Sequence, residues 1–110
     1  MQIGFDVGAT KIESVILEET GQENFRERTN CPKDYNSVIN NIVEITKKLE
    51  TKLNKSLPVG VCHPGVHSPQ TGLIKNAPNC YWIEKKPFQK DLREALGKEI
   101  FCENDANCFA

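Results

Sequence analysis

The chain has 110 residues, of which 26% are charged and 38% are apolar, and these values are typical of a single globular domain. Its net charge of -1 gives no electrostatic reason to expect nucleic acid or an anionic membrane surface as a partner. No apolar run approaches the roughly 20 residues that a membrane helix needs. The first residues, "MQIGFDVG", lack the basic segment and the apolar core of a secretory signal.

The first thirty residues predict three strands. Ile3, Phe5 and Val7 alternate with more polar positions, which is the periodicity of a half-buried strand. The turn "DVGAT" leads into a second strand, "KIESVILE", and "ETGQ" is a plausible hairpin turn. The third strand, "ENFRERTN", is so polar that we expect it at an edge of the sheet.

The remainder alternates between helical and strand patterns. Apolar residues recur at helical spacing from an N-cap at Asp34 to about Asn54. "SLPVGVCHPG" reads as a short buried strand that ends in a loop, and "GLIKN" as a brief strand within the loop that follows. A second helix ends at Gly97, before the strand "EIFCEN" and the helix start "DANCFA".

This order of elements predicts a mixed α/β sheet of five strands, led by hairpins and parallel in its later part. In such sheets, ligands bind beyond the carboxyl ends of the strands. Three polar clusters fall at such ends: "DVGAT", "CHPGV" and "ENDAN".

The cysteines are an odd number, widely spaced and without a CxxC pair, and only two histidines could join them as ligands. We therefore expect no zinc site within this chain. Free thiols in a reducing cytoplasm are the simplest interpretation of Cys31, Cys62, Cys80, Cys102 and Cys108.

The turn "DVGATK" combines groups that suit a phosphate and its metal ion. Gly8 allows backbone N–H groups to approach an anion closely, Thr10 adds a hydroxyl donor and Lys11 a positive charge. Asp6 could hold a magnesium ion through water. The segment is neither a GxxxxGK[ST] nor a GxGxxG loop, so a hairpin turn that merely contains Gly and Thr is an equal alternative.

The segment "ENDAN" lies where a strand ends and a helix begins, so unpaired backbone N–H groups attract acceptors there. The plain interpretation makes Asn104 or Asp105 an N-cap only. The functional interpretation makes Asp105 a general base and Asn104 an anchor for a polyol.

The loop residues between these segments are less specific. His63 could act as a ligand or an acid–base group, although a histidine at a strand end more often only caps it. Tyr81 and Trp82 could stack on a sugar ring or, as we favour, pack the loop onto the body of the domain.

Together, "IGFDVGATKIE", "VGVCHPGVHSPQTGLIKNAPNCYW" and "ENDANCFA" resemble the ROK family of repressors, open reading frames and kinases, in the right order and spacing. The resemblance covers nearly the whole chain. It implies that residues 1–110 are the N-terminal lobe of a sugar kinase with a ribonuclease H-like, actin-like ATPase fold, and that the second lobe is absent from this chain.

The resemblance also implies roles for individual residues. Asp6, Gly8, Thr10 and Lys11 match the motif that faces the ATP phosphates and magnesium. Asp105 matches the catalytic base and Asn104 a residue that binds sugar hydroxyls. The wall of the sugar pocket is matched by Gly65, Asn76 and Ala77.

Two positions depart from the family pattern. Ala9 stands where a second glycine is common, which stiffens the turn, and "CHPG" replaces an apolar residue before Pro-Gly. The family's zinc site lies in the second lobe, so ATP and Mg²⁺ are the cofactors expected here. A homodimer of the full-length protein remains open.

The resemblance favours an ATP-dependent hexose kinase of the fructokinase or mannokinase branch, with N-acetylglucosamine kinase as the nearest alternative and glucose also open. A ROK transcriptional repressor is a second class, but its winged helix would precede the "DxGxTK" strand, which starts here at residue 2. A non-catalytic sugar sensor is a third class, against which the intact Asp6, Thr10 and Asp105 argue.

Overall fold

A computed structural model describes residues 1–105 of the chain. This part forms seven strands and two helices. In chain order they are β1 (Gln2–Val7), β2 (Lys11–Leu17), β3 (Glu23–Asn30), α1 (Tyr35–Leu53), β4 (Val59–His63), β5 (Val66–His67), β6 (Ile74–Lys75), α2 (Phe88–Leu96) and β7 (Ile100–Asn104).

The main sheet has five strands in the order β3-β2-β1-β4-β7. Strand β2 pairs antiparallel with both β1 and β3, whereas β1, β4 and β7 run parallel to one another. The predicted mixed five-stranded sheet is therefore confirmed, as is the position of the polar strand β3 at an edge. The pair β5–β6 forms a separate two-stranded ladder, of which only β6 was predicted.

Both predicted helix boundaries are confirmed by their caps. The carboxylate of Asp34 accepts a hydrogen bond from the backbone N–H of Ser37 at 3.0 Å, which satisfies one unpaired donor at the start of α1. Asn54 ends α1 in a left-handed conformation, with φ 56°. Gly97 ends α2 in the same way, with φ 66°, where glycine has no steric penalty. The helix start predicted at "DANCFA" lies largely outside the described residues.

The core lies between one face of the sheet and the two helices. Alternate strand residues point into it, because side chains along a strand alternate between its two faces. The largest fully buried side chains include Phe5, Ile12, Ile42, Leu49, Phe88, Leu92 and Ile100. One histidine, His63, is also 1% exposed in this apolar layer.

The opposite face of the sheet is left open by the described residues. A recess of about 580 Å³ on this face is lined mainly by strand residues, among them Gly4, Val15, Gly60 and Phe101. The Phe101 ring is 66% exposed. This exposed ring belongs to β7.

The cysteine prediction is confirmed for Cys31, Cys80 and Cys102, which are free thiols. It is wrong for Cys62, which is disulfide-bonded. Within residues 1–105, neither helix is both long enough and apolar enough to cross a membrane.

Candidate active site

The predicted site residues are gathered by the parallel strands β1, β4 and β7, whose carboxyl ends lie at one edge of the sheet. Asp6 of β1 is opposite Cys62 of β4, which in turn is opposite Glu103 of β7. One step further along, His63 is opposite Asn104. The polar clusters that follow β1, β4 and β7 therefore meet, as expected for the ligand-binding edge of a parallel sheet.

Asp6 lies on the open face of the sheet in a strongly negative environment. Its pKa is raised above the usual value, chiefly because burial disfavours the charged carboxylate and secondly because Glu13 and Asp105 repel it. Arg26 opposes the shift in part. Because Asp105 helps to raise the pKa of Asp6, the two carboxylates lie near enough to repel each other.

This concentration of negative charge fits a divalent cation, because a cation would relieve the repulsion that Asp6 experiences. The described residues contain no group of three or more His, Cys, Asp or Glu side chains placed to hold a metal ion directly. Magnesium commonly keeps several waters and is held by one or two carboxylates together with substrate phosphates. Asp6 is suited to that role.

The turn between β1 and β2 is closed by its own backbone. The N–H of Gly8 donates to the carbonyl of Lys11 at 2.8 Å, and the N–H of Cys31 donates to the carbonyl of Thr10 at 2.8 Å. A Cβ atom on Gly8 would lie 3.2 Å from the Lys11 carbonyl oxygen, which favours glycine. The Gly8 amide is thus used inside the hairpin, and the turn is held firmly in place.

The side chains of this turn differ in their partners. Thr10 is exposed at the tip of the turn. Lys11 is also exposed, and its ammonium group donates to the side-chain oxygen of Asn30, its neighbour across the β2–β3 ladder. In this structure Lys11 therefore braces the hairpin, while Thr10 is presented to solvent.

The predicted sugar wall is brought together by one hydrogen bond. The side-chain Nδ2 of Asn104 donates to the backbone carbonyl of Gly65 at 2.6 Å. Gly65 has φ 71°, and a Cβ atom there would lie 2.4 Å from the Lys75 carbonyl oxygen and 3.1 Å from the Ala77 Cβ. Only glycine fits this crowded position. Gly65, Ala77 and Asn104 therefore lie next to one another, with Gly65 and Ala77 buried.

The conformation of the "NAPN" loop depends on a left-handed backbone at Asn76 and on burial of Ala77. Asn76 has φ 63°, a left-handed conformation that asparagine tolerates better than most residues. Ala77 is 1% exposed, and its N–H donates to a carboxylate oxygen of Glu84 at 3.2 Å. Asn76 is presented to solvent, whereas Ala77 anchors the loop.

The two aromatic residues after this loop behave differently. Trp82 is buried, which confirms that it packs the loop onto the body of the domain. Tyr81 is exposed and meets Trp82 edge-on, with 5.0 Å between the ring centroids. The preferred packing interpretation is wrong for Tyr81.

The second histidine has a role that sequence reasoning missed. The Nε2 atom of His67 accepts a hydrogen bond from the backbone N–H of Gln89 at 3.2 Å. Gln89 lies in the first turn of α2, whose N-cap, Pro87, offers no side-chain acceptor. His67 therefore satisfies an unpaired donor of α2 from strand β5, 22 residues earlier in the chain.

The pKa of His67 is lowered to about 4, first by burial and then by the neighbouring His63 and Arg93. Protonation at Nε2 would also remove the acceptor that Gln89 uses, and the positive end of the helix dipole disfavours a cation there.

The family model of the ROK family matches residues 2–110. The chain belongs to the ROK family. This membership confirms the resemblance seen in the three sequence motifs. The match also spans "ENDANCFA", of which residues 106–110 lie outside the described part.

Among curated ROK proteins, an N-acetyl-D-glucosamine kinase of Histophilus somni is 40% identical over 111 residues. The alignment covers 100% of this chain and 36% of that enzyme. The chain therefore spans about a third of the length of the curated relatives that it matches.

Two solved structures match the fold closely. A ROK hexokinase from Thermus thermophilus is 27% identical with a TM-score of 0.80, over 96% of this chain and 35% of that chain. An inorganic polyphosphate/ATP-glucomannokinase from Arthrobacter is 26% identical with a TM-score of 0.79, over 96% of this chain and 44% of that chain. These matches confirm the predicted ribonuclease H-like, actin-like ATPase fold.

Proposed function

We propose that the protein containing this chain is an ATP-dependent sugar kinase that phosphorylates a hexose hydroxyl, with residues 1–110 as its N-terminal lobe. The observation that carries this proposal is the meeting of Asp6, the Gly65–Asn104 pair and Asp105 at one sheet edge. This arrangement supports a phosphate-facing turn and a hydroxyl-binding surface that lie side by side. Phosphoryl transfer requires that arrangement, because it depends mainly on positioning and charge stabilisation.

Asp105 is the proposed general base. It follows Asn104 directly at the end of β7, so a hydroxyl bound by Asn104 would lie beside its carboxylate. The carboxylate accepts the hydroxyl proton as the sugar oxygen forms a bond to the terminal phosphorus of ATP. The bond from that phosphorus to the bridging oxygen then breaks, and ADP leaves with the electron pair.

The hydroxyl-binding surface is formed by Asn104, Gly65 and the "NAPN" loop. The amide nitrogen of Asn104 is turned toward the Gly65 carbonyl, which fixes the orientation of the side-chain oxygen as well. Asn76 and Ala77 border the same surface. A rigid hydrogen-bonding group of this kind suits a polyol, whose hydroxyls both donate and accept.

The phosphate side is assigned to Asp6, Gly8, Thr10 and Lys11. Asp6 would hold magnesium through water, and that ion would neutralise charge on the phosphates. Thr10 would donate its exposed hydroxyl to a phosphate oxygen, while Gly8 keeps the turn compact. Lys11 would have to leave Asn30 in order to reach a phosphate, so we assign it the weakest contribution.

N-acetyl-D-glucosamine is the substrate that we propose first, because the curated relatives at 40% to 38% identity all carry the name N-acetyl-D-glucosamine kinase. Fructose, favoured from the sequence motifs, has no support from these names. Mannose and glucose are further candidate substrates because of the similarity to a glucomannokinase.

We further propose a cytoplasmic location, because ATP is available there; the free thiols of Cys31, Cys80 and Cys102 fit a reducing compartment, whereas the disulfide of Cys62 does not. A zinc site in the second lobe and a homodimer of the full-length protein remain predictions.

The proposal is tested by measuring ADP release by the full-length protein with N-acetyl-D-glucosamine, mannose, glucose and fructose. We expect the highest kcat/KM with N-acetyl-D-glucosamine and a requirement for Mg²⁺. Hexose-independent ATP hydrolysis only, or no turnover with any of the four sugars, would contradict the proposal.

A further inference from the structure

His63 occupies a position that the strand pattern assigns to an apolar residue. Along β4, Val59, Val61 and His63 point into the core, while Gly60 and Cys62 point the other way. His63 is 1% exposed and lies edge-on to the rings of His67 and Phe88, with centroid distances of 4.9 and 5.8 Å. A polar ring in such a place calls for an explanation.

The hydrogen bonds of His63 fix its tautomer. Its Nδ1 atom lies 2.9 Å from the carbonyl oxygen of Pro64, and a carbonyl can only accept, so Nδ1 carries the proton. Burial lowers the pKa of His63, which favours the neutral ring. Its Nε2 atom is then a buried acceptor with no hydrogen-bond partner among residues 1–105. This unsatisfied nitrogen lowers the stability of the folded protein, so the histidine at this position is not explained by stability alone.

The satisfied nitrogen of His63 holds the loop that carries the hydroxyl-binding surface. Pro64 is followed by Gly65, whose carbonyl accepts the Asn104 side chain at 2.6 Å. His63 and Asn104 are also direct neighbours across the β4–β7 ladder. A continuous path of hydrogen bonds and one peptide unit therefore runs from the His63 ring through Pro64 and Gly65 to Asn104.

We propose that His63 is a positioning residue for the sugar: its Nδ1–H holds the Pro64 carbonyl, which sets the Gly65 carbonyl at the place where Asn104 docks. This inference rests on the proposed function, since it assigns sugar binding to the surface that Asn104 and Gly65 share. His63 acts through these two residues and does not touch the sugar.

The competing explanation is that His63 only fills space at the end of β4. The two explanations differ in what an apolar ring would do. If His63 only fills space, phenylalanine should serve as well or better, because it removes the unsatisfied Nε2. If His63 positions the loop, phenylalanine should leave the fold intact and weaken sugar binding.

Two variants of the full-length protein distinguish the effect of the His63 hydrogen-bond donor from the effect of its side-chain volume. His63→Phe keeps an aromatic ring and removes the donor. His63→Asn is smaller but places a side-chain N–H near the position of Nδ1, so it keeps the donor and loses volume. Val61→Ala, on the same face of β4, is the matched control that removes volume without touching the hydrogen bond.

We expect His63→Phe to melt at or above the wild-type temperature, with KM for N-acetyl-D-glucosamine raised about 3- to 10-fold and kcat within about twofold, as for loss of one binding hydrogen bond. We expect His63→Asn and Val61→Ala to melt at lower temperature while KM stays within about twofold of wild type. An unchanged KM in His63→Phe, or an equal rise in His63→Asn, would overturn the proposal.

A second readout does not depend on turnover. In protein labelled with ¹⁵N-asparagine, the side-chain amide resonance of Asn104 should shift and exchange faster in His63→Phe, and return toward wild type in His63→Asn. If the wild-type protein phosphorylates no hexose, the proposed function fails, and this resonance still decides the role of His63. An Asn104 resonance unmoved by His63→Phe would contradict that role.

Discussion

The side chain of Asn104 and the backbone carbonyl of Gly65 are joined by a hydrogen bond of 2.6 Å between residues that are 39 positions apart in the chain. This bond connects the end of β7 to the loop after β4. The base proposed at Asp105 is the next residue along the chain. The geometry of Gly65 therefore bears on both the proposed sugar surface and the proposed base.

Gly65→Ala should disrupt this connection. The new methyl group would lie 2.4 Å from the Lys75 carbonyl oxygen on a backbone with φ 71°, so the loop must move. We expect a stability loss of about 1–3 kcal/mol and at least about a tenfold rise in sugar KM. Thermal unfolding and steady-state kinetics of the full-length protein would measure both.

The matched control is Gly72→Ala. Gly72 has the same backbone conformation, with φ 72°, but no atom of the described residues lies within 4 Å of its added Cβ. We expect it to lose about 1 kcal/mol from backbone strain alone, with KM unchanged. Equal effects of the two substitutions on KM would show that backbone strain, rather than the contact with Asn104, is responsible.

Asp105→Asn should remove the proton acceptor and retain the shape of the side chain. We expect kcat to fall by about 10²- to 10⁴-fold, the usual contribution of a general base, with an unchanged melting temperature. Asp34→Asn is the control, because Asn caps α1 as well as Asp does and lies outside the proposed site. Retention of more than about half the wild-type activity by Asp105→Asn would exclude a general-base role.

Thr10→Val should act on the nucleotide side. Valine keeps the branched shape and deletes the exposed hydroxyl that we assign to a phosphate oxygen. We expect KM for MgATP to rise about 3- to 10-fold, with sugar affinity unchanged by calorimetry. Thr51→Val, on an exposed position of α1, is the control and should change neither value. A loss of sugar affinity with intact nucleotide use would mean that the two loops have been assigned the wrong way round.

The main sheet could be predicted because apolar and polar residues alternate along its strands. Ile3, Phe5 and Val7 face the core, and the polar β3 could only be an edge. The helix caps could be predicted as well. Aspartate, as at Asp34, accepts a backbone hydrogen bond at a helix start, and glycine, as at Gly97, adopts the left-handed conformation at a helix end. The two-residue strand β5 could not be predicted, because a segment of that length has no periodicity.

Contacts that depend on tertiary structure could not be predicted from the sequence. The cap that His67 provides to Gln89 and the bond from Lys11 to Asn30 join segments whose relative placement is set by the whole fold. The location of the site could be predicted because the polar clusters follow parallel strands, whose carboxyl ends lie at the same edge of the sheet. The family motifs, rather than periodicity, assigned roles to Gly65, Asn76 and Ala77.

The stability of the protein should fall on mild acidification. The folded-state pKa of His67 is about 4, below its usual value near 6.5, so the folded protein binds fewer protons than the unfolded chain as pH falls through that interval. The lowered pKa of His63 acts in the same direction. From about pH 7 to about pH 5, the free energy of unfolding should decrease, with a ceiling of about 1.4 kcal/mol per pH unit for one histidine.

His67→Gln tests the source of that slope. Its side-chain oxygen can accept from the Gln89 N–H in place of Nε2, but it does not titrate. Denaturant unfolding at several pH values should give a shallower slope for His67→Gln than for wild type. The raised pKa of Asp6 has the opposite effect at lower pH, which is why the comparison stops near pH 5. An unchanged slope would assign the acid sensitivity to other groups.

The last prediction concerns residues 1–110 in isolation. One core cluster links five strands to two helices, so we expect cooperative unfolding of this part alone. We expect no ADP release with any hexose, because in-line transfer needs groups on both sides of the phosphates. This chain supplies one side. The remaining contacts would come from the second lobe implied by the longer relatives.

The open face of the sheet should make the isolated chain self-associate, since the Phe101 ring is 66% exposed beside Gly60 and Val15. Phe101→Lys should reduce the sedimentation mass without changing the unfolding transition, whereas Tyr81→Lys, which is equally exposed but lies in the loop after Cys80, should not. Hexose-dependent turnover by residues 1–110, abolished by Asp105→Asn, would show that a second lobe is dispensable. That result would overturn the division of labour proposed for the two lobes.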